Sequence, residues 1–117
     1  MSELESLRAR ALEYPDSAEE FPWGERVIKV AGKIFVFLNR GEGGIAVTLK
    51  LRASHGEAIM MPFVKPTGYN LGRAGWVTAR FEPDEPLPTY MLAAWIDESY
   101  RLLAPKRLVR RLDGRVV

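Results

Sequence analysis

The sequence predicts an α+β domain with two layers, a five-stranded antiparallel sheet with the N- and C-terminal helices packed on one face. Apolar residues recur every three or four positions near both ends, as in amphipathic helices. In the middle of the chain they alternate with polar residues, as in strands joined by tight glycine turns. The two patterns do not alternate regularly along the chain, which argues against a parallel sheet.

The first helix is predicted from about Glu3 to Tyr14, where one apolar stripe recurs at helical spacing. Pro15 ends this helix because proline cannot continue the backbone hydrogen-bond ladder. Residues 15–24 are predicted to form a loop. We expect its aromatic segment, Phe21-Pro22-Trp23, to dock onto the core and fix the entry into the sheet.

Three strands are predicted next. Arg26–Val30 and Lys33–Arg40 are joined by a turn at Ala31-Gly32, where glycine supplies the unusual backbone angle. Ile45–Arg52 alternates cleanly between apolar and polar residues, as expected for a sheet with one covered and one open face. The second strand is apolar on both faces, and a slip of one residue in its pairing would exchange them. The sequence therefore leaves open which face of that strand is exposed.

The second half of the chain returns to helices. A short helix is predicted from Ser54, whose spacing to a glutamate three residues later is that of a capping box. A brief extended segment at Tyr69-Asn70 and a strand at Trp76–Phe81 complete the five-stranded sheet. The last long helix is predicted from about Leu87 to Leu103, and Lys106–Leu112 is expected to form a basic terminal helical segment.

Length and composition predict a single domain over residues 1–117 with an ordinary globular mixture, 47% hydrophobic and 27% charged. The absence of cysteine excludes disulfides, cysteine zinc sites and thiol chemistry. The acidic N-terminus lacks a signal-peptide pattern, and no apolar run is long enough for a membrane span. We therefore expect a cytoplasmic protein without a membrane partner.

No catalytic constellation stands out, so we expect a protein that is not an enzyme. The one histidine, His55, is accompanied by no paired-histidine or nucleophile-elbow motif. The glycine-rich stretch Gly41-Glu42-Gly43-Gly44 lies between two predicted strands, whereas a phosphate-binding loop leads into a helix. Neither a cofactor nor a metal site is predicted.

Positive charge is concentrated in the middle of the chain. Residues 26–80 carry nine basic and two acidic side chains, a net charge of +7, whereas the whole chain has +2. A basic block of this kind is what phosphate binding requires. The same block would arise if these side chains only solvated the outer face of the sheet, and the charge pattern leaves both interpretations open.

The open face of the sheet is the predicted nucleic-acid-binding surface. Its basic side chains would neutralise phosphates, and Trp76 or Phe35 would stack on a base. The predicted site residues are Lys29, Lys33, Phe35, Lys50, Arg52, Arg73, Trp76 and Arg80. The alternative for the aromatic members of this set is that they pack in the core.

Several motifs resemble the MmcQ/YjbR family of small bacterial proteins. They are Phe21-Pro22-Trp23-Gly24, Lys29-Val30-Ala31-Gly32-Lys33-Ile34-Phe35, Lys50, Gly68-Tyr69-Asn70, Trp76 with Thr78, and Ser99-Tyr100. The resemblance covers nearly the whole chain and implies a frataxin-like α+β fold and a DNA-binding role. Relatives often carry histidine where this chain has Asn70 and Gly75, so the resemblance implies no role for a protonatable ring at these two positions.

Two other functions are compatible with the sequence. A frataxin-like metal-handling role would use the carboxylates of the acidic first block, residues 1–25, because oxygen ligands suit hard cations such as iron. These are Glu3, Glu5, Glu13, Asp16, Glu19 and Glu20. A protein-interaction adaptor would instead use an apolar sheet face left open. DNA or another nucleic acid is the predicted partner, and a protein partner is the alternative.

Overall fold

A computed structural model describes residues 2–41, 43–68 and 70–114 of the chain. Its strands in the described residues are β1 (Ser17–Glu20), β2 (Val27–Val30), β3 (Lys33–Gly41), β4 (Gly44–Lys50), β5 (Val64–Pro66) and β6 (Trp76–Phe81). Its helices are α1 (Glu3–Ala11), α2 (His55–Ile59), α3 (Thr89–Leu103) and α4 (Lys106–Gly114), with a 3-10 turn at Leu71–Ala74. All neighbouring strands are antiparallel, in the order β1-β2-β3-β4-β6-β5.

The α+β class with an antiparallel sheet is confirmed, but the sheet has six strands in the described residues and not the predicted five. The additional strand is β1, which lies in the segment predicted as a loop and pairs with β2 from Ser17–Val30 to Glu20–Val27. The extended segment predicted at Tyr69-Asn70 is replaced by β5. Asn70 has a left-handed φ of 66°, and Tyr69 lies outside the described residues.

The core lies between one face of the sheet and helices α1 and α3. The sheet contributes alternate residues of β4 and β6, namely Ile45, Val47, Leu49, Val77, Ala79 and Phe81. The helices contribute residues at helical spacing, namely Leu4, Leu7 and Ala11 from α1 and Leu92, Trp95, Ile96 and Tyr100 from α3. The opposite face of the sheet, which we call the open face, is therefore available for other roles.

An irregularity in the pairing of β2 and β3 decides which side chains of β3 reach the core. The register shifts between Ile28 and Lys29 of β2, and Phe35 is left without a partner on that strand. Such a β-bulge re-aims side chains. Phe35 and its neighbour Val36 are both buried in the core, whereas Phe37 lies on the open face.

Ser99 of α3 completes the hydrogen bonding at this bulge. Its hydroxyl donates to the carbonyl oxygen of Phe35 at 2.6 Å and accepts from the backbone N–H of Lys50 at 3.0 Å. Phe35 and Lys50 would pair next if the β3–β4 ladder continued beyond Val36–Leu49. The buried hydroxyl thus stands in for one ladder hydrogen bond and ties α3 to the sheet.

The neighbouring residue, Tyr100, secures the same region. Its ring lies 5.2 Å from that of Phe35 and 4.7 Å from that of Tyr14, measured between centroids, and its hydroxyl donates to the carbonyl oxygen of Pro15 at 2.8 Å. The Tyr14 hydroxyl donates to Asp97 at 2.7 Å, and burial together with this hydrogen bond raises the pKa of Tyr14 above its ordinary value. Both residues of the Ser99-Tyr100 motif therefore support the fold around the bulge.

We expect the Ser99→Ala variant to lose about 1–2 kcal/mol of unfolding free energy, because a buried N–H and a buried carbonyl lose their shared partner. Urea unfolding followed by circular dichroism measures the loss. Ser6→Ala, at an exposed position of α1, is the matched control and should change the unfolding free energy by less than about 0.5 kcal/mol. A Ser99→Ala variant as stable as the control would contradict the bridging role.

Glu98 of α3 anchors the segment between β4 and α2. Its carboxylate accepts from the backbone N–H of Arg52 at 2.6 Å and from the hydroxyl of Ser54 at 2.7 Å. The Ser54 side chain therefore does not cap α2, contrary to the capping-box prediction. Burial acts to raise the pKa of the Glu98 carboxyl, but hydrogen bonds from Ser54 and from the backbone together hold it below its ordinary value.

Within the described part of the chain, no helix combines the length and the apolar character needed to cross a membrane.

Candidate nucleic-acid interface

A groove of about 1060 Å³ runs over the open face of the sheet. Its floor is formed by side chains of the central strands, including Phe37, Ala46, Thr48, Thr78 and Arg80. The loop before β2 and the loop after β5 also line the groove. The small side chains on β4 leave a depression between the aromatic ring on β3 and the arginine on β6.

The segment Phe21-Pro22-Trp23 does not dock onto the core, so this prediction is wrong. Phe21 is 56% exposed and Trp23 is 74% exposed, and Pro22 is also exposed. Instead, Trp23 lines the groove with its indole largely open to solvent.

Asn39 of β3 fixes the loop that carries Trp23. Its side-chain oxygen accepts from the backbone N–H of Arg26 at 2.7 Å, and its side-chain nitrogen donates to the Arg26 carbonyl at 3.3 Å. Between Trp23 and Arg26, Gly24 has a φ of 80°, a conformation that glycine adopts at little cost. The turn at Gly24 and the anchor at Arg26 position Trp23 beside the groove.

Trp76 and Phe37 form the aromatic part of the open face itself. Their ring centroids are 6.2 Å apart with an interplanar angle of 74°, a favourable edge-to-face arrangement. Both rings are half-buried, and Lys50 is the cross-strand partner of Trp76. Part of each residue's surface therefore remains accessible to solvent.

The structure brings some of the predicted site residues together. Lys50, Trp76 and Arg80 share the open face, because Lys50 pairs with Trp76 and Arg80 follows Trp76 by four residues on β6. The prediction that Phe35 stacks on a base is wrong. Its ring is 0% exposed and packs against the core, because the bulge turns it away from the open face.

Among the predicted site residues, the described lining of the groove includes Arg80 but not Lys50 or Trp76, which lie on the open face outside it. The other predicted basic residues lie elsewhere. Lys29 is ion-paired with Glu20 at 3.1 Å. Lys33 is exposed at the start of β3, Arg52 is exposed after β4, and Arg73 is exposed in the 3-10 turn. None of these four basic residues is among the described residues that line the groove.

Sequence reasoning missed Phe37 and Trp23. Strict alternation along β3 placed Phe37 on the same face as Phe35, and only the bulge separates them. For Trp23, a signal was present: the flanking Pro22 and Gly24 are typical of an exposed turn.

The charged lining of the groove is mainly positive. Among the described lining residues, Arg40 and Arg80 are opposed by one carboxylate, that of Glu25. Lys65 pairs with Thr78 on the open face. In the described part of the chain, neither arginine makes an ion pair, nor does Lys50 or Lys65. These four cations are thus available to an anionic ligand.

The acidic residues of the first block are not assembled into one cluster. The carboxylate of Glu19 accepts two hydrogen bonds from the Arg8 guanidinium and also lies 3.3 Å from Arg26. Hydrogen bonding from Arg8 lowers the pKa of Glu19 below its ordinary value. Glu20 pairs instead with Lys29 on the other side of the strand. No group of three or more histidine, aspartate or glutamate side chains in the described residues could hold a metal ion.

The model of the YjbR family matches residues 12–102, a span that includes all the described strands and the groove. The chain belongs to the YjbR family. This YjbR chain also resembles a solved protein of Deinococcus radiodurans, DR2400, which has the family-model domain DUF419. The two share 26% identity with a TM-score of 0.68, and the match covers 86% of this chain and 77% of DR2400.

A second solved structure, a protein from Pseudomonas syringae, shares the fold of this YjbR chain. The identity is 19% and the TM-score 0.63, over 87% of this chain and 98% of the other. A search of the curated proteins gives no match. The comparisons therefore establish family and fold, and the function must be inferred from the groove.

Proposed function

We propose that this YjbR protein binds single-stranded nucleic acid in the groove on the open face of its sheet. The observation that carries the proposal is an indole, that of Trp23, which is 74% exposed beside a groove lined by two arginines and one glutamate. An exposed indole offers a surface on which a base of any identity stacks, and the cations attract phosphates.

A single strand fits this groove better than a duplex does. Stacking on Trp23 or Trp76 requires a base whose face is uncovered, and base faces are covered inside a duplex. Duplex DNA is read by an element that projects into the major groove, commonly a helix. The long helix α3 instead packs its apolar stripe against the sheet.

We propose binding and not catalysis for this groove. Its described lining residues include one carboxylate, that of Glu25, and no histidine. General acid–base catalysis most often uses a histidine or a positioned pair of carboxylates, and the described lining offers neither.

We expect the Arg80→Ala variant to bind a single-stranded oligonucleotide more weakly than the natural protein. The slope of log affinity against log salt should fall by about one, because one phosphate contact and its released counterion are lost. Fluorescence anisotropy of a labelled mixed-sequence strand over about 50–200 mM salt provides both quantities.

Arg110→Ala is the matched control for this experiment. Arg110 lies on α4, is exposed, and makes no ion pair in the described part of the chain, but it is not among the lining residues. Its removal should leave the salt slope unchanged. Equal losses for Arg80→Ala and Arg110→Ala would show that overall charge, not the groove, drives binding. No binding to DNA or RNA at the lowest salt would overturn the proposed function.

A further inference from the structure

Three threonine hydroxyls form a row across the groove. The Oγ1 atom of Thr78 lies 2.9 Å from that of Thr48 and 3.0 Å from that of Thr67. Thr48 belongs to β4, Thr78 to β6, and Thr67 directly follows β5. All three residues line the groove. The row is thus a polar strip beside the aromatic ring of Phe37.

The number of hydrogens in this row leaves one donor for a ligand. Each threonine hydroxyl has one hydrogen and can accept up to two hydrogen bonds. Thr78 bonds to both neighbours, and either atom can be the donor in each bond. Three hydrogens serve two bonds, so one hydrogen is not used within the row, and we consider the arrangement in which Thr78 donates to one neighbour and accepts from the other. The neighbour that accepts from Thr78 keeps its own hydrogen for a partner outside the row. Because the direction can reverse, the end at Thr48 can present either a donor or an acceptor.

The Thr48 hydroxyl can bind a ligand group in either direction if that group can both donate and accept a hydrogen bond. A phosphate oxygen only accepts, and Arg80 offers it stronger, charge-assisted donors. The 2′-hydroxyl of ribose, in contrast, is both donor and acceptor, and it is the group by which proteins distinguish RNA from DNA.

The order of side chains along β6 matches the order of parts in a nucleotide. Trp76, Thr78 and Arg80 are alternate residues of one strand, so they share the open face at intervals of about 7 Å. Thr48 is the cross-strand partner of Thr78, so an aromatic ring, the threonine row and a guanidinium follow one another as base, sugar and phosphate do.

From this geometry we infer that the threonine row binds the 2′-hydroxyl of ribose and that the groove prefers RNA to DNA. The inference rests on the proposed function, since it concerns the same groove. Thr48 then acts as the residue that determines specificity, with Thr78 and Thr67 setting the direction of its hydrogen bond.

The test compares an oligoadenylate with its 2′-deoxy and 2′-O-methyl counterparts, which share one base and differ only at the 2′ position. Anisotropy is expected to show about three- to tenfold tighter binding of the RNA than of the DNA, the range for one hydrogen bond. The 2′-O-methyl strand, which cannot donate at that position, should bind more weakly than the RNA. Equal affinity for RNA and DNA would overturn this inference and leave the proposed function standing. No binding to any strand would overturn both.

Variants of Thr48 test whether the threonine row causes the preference for RNA over DNA. Thr48→Val removes the hydroxyl and should bring the ratio of RNA to DNA affinity to about one, whereas Thr48→Ser keeps a hydroxyl and should retain the preference. Thr89→Val, at the start of α3 and outside the groove, is the control and should also retain it. Thermal unfolding checks that each variant is folded. A Thr48→Val protein that keeps the preference would contradict the assignment.

Discussion

The Phe35→Ala variant is expected to lose about 3–5 kcal/mol of unfolding free energy, the typical cost of removing a fully buried phenylalanine ring. The ring is 0% exposed and lies 6.1 Å from Tyr14 and 5.2 Å from Tyr100, between centroids. Its loss would leave a cavity between the bulge of β3 and helix α3. Urea unfolding of the variant beside the natural protein measures the effect.

Phe37→Ala is the matched control, because the same change is made two residues along the same strand. Phe37 is half-buried on the open face, so its removal should cost clearly less stability than that of Phe35. An equal or larger loss for Phe37→Ala would mean that the bulge does not separate the two rings, and the assignment of the open face would be wrong.

The Trp23→Ala variant is expected to weaken binding of a single strand by about 1–3 kcal/mol, the contribution of one stacked base. A difference of about 1.4 kcal/mol is tenfold in the dissociation constant. The indole is 74% exposed, so the unfolding free energy should change by no more than about 0.5 kcal/mol. Anisotropy with the labelled strand and urea unfolding of the same preparation give the two values.

Phe21→Ala provides the comparison for this variant. Phe21 is also an exposed aromatic residue of the same loop, but it is not among the described residues that line the groove. We expect it to change affinity less than Trp23→Ala does. A Trp23→Ala protein that binds normally but has lost several kcal/mol of stability would show instead that the indole packs in the core, as the sequence first indicated.

The fold class and the regular elements could be predicted because their apolar patterns are local. The strand predicted at Trp76–Phe81 has those bounds, and the strand predicted at Ile45–Arg52 is found at Gly44–Lys50. Helix α3 begins two residues after its predicted start, and the segment predicted at Lys106–Leu112 is helix α4. Where one face of an element packs against the core, the spacing of apolar residues alone is sufficient to predict whether that element is a strand or a helix.

Two features of the fold depend on pairing between distant segments, which leaves little local signal. The sequence of β1, Ser17-Ala18-Glu19-Glu20, has low strand propensity and is a strand because β2 is available beside it. The bulge at Phe35 adds one residue to β3 without a marker such as glycine. Its consequence is large, because each step along a strand exchanges the two faces.

Which side chains share the open face could be predicted only in part. Lys50 and Arg80 were placed correctly because they lie on the two strands with regular alternation. Phe35 was misplaced by the bulge. The contact between Thr48 and Thr78 requires the register of β4 against β6, which two strands separated by a helix and a 3-10 turn do not reveal in sequence.

The indole N–H resonances of the three tryptophans give the most direct test that nucleic acid binds the open face. Trp23 lines the groove and Trp76 lies on the open face, whereas Trp95 is buried on the helix side of the sheet. Titration with single-stranded RNA, followed by nuclear magnetic resonance, is expected to shift the resonances of Trp23 and Trp76 and the amides of Thr48 and Arg80, and to leave that of Trp95 in place. Shifts confined to the amides of the basic helix α4, with all three indole resonances unmoved, would contradict the proposed interface.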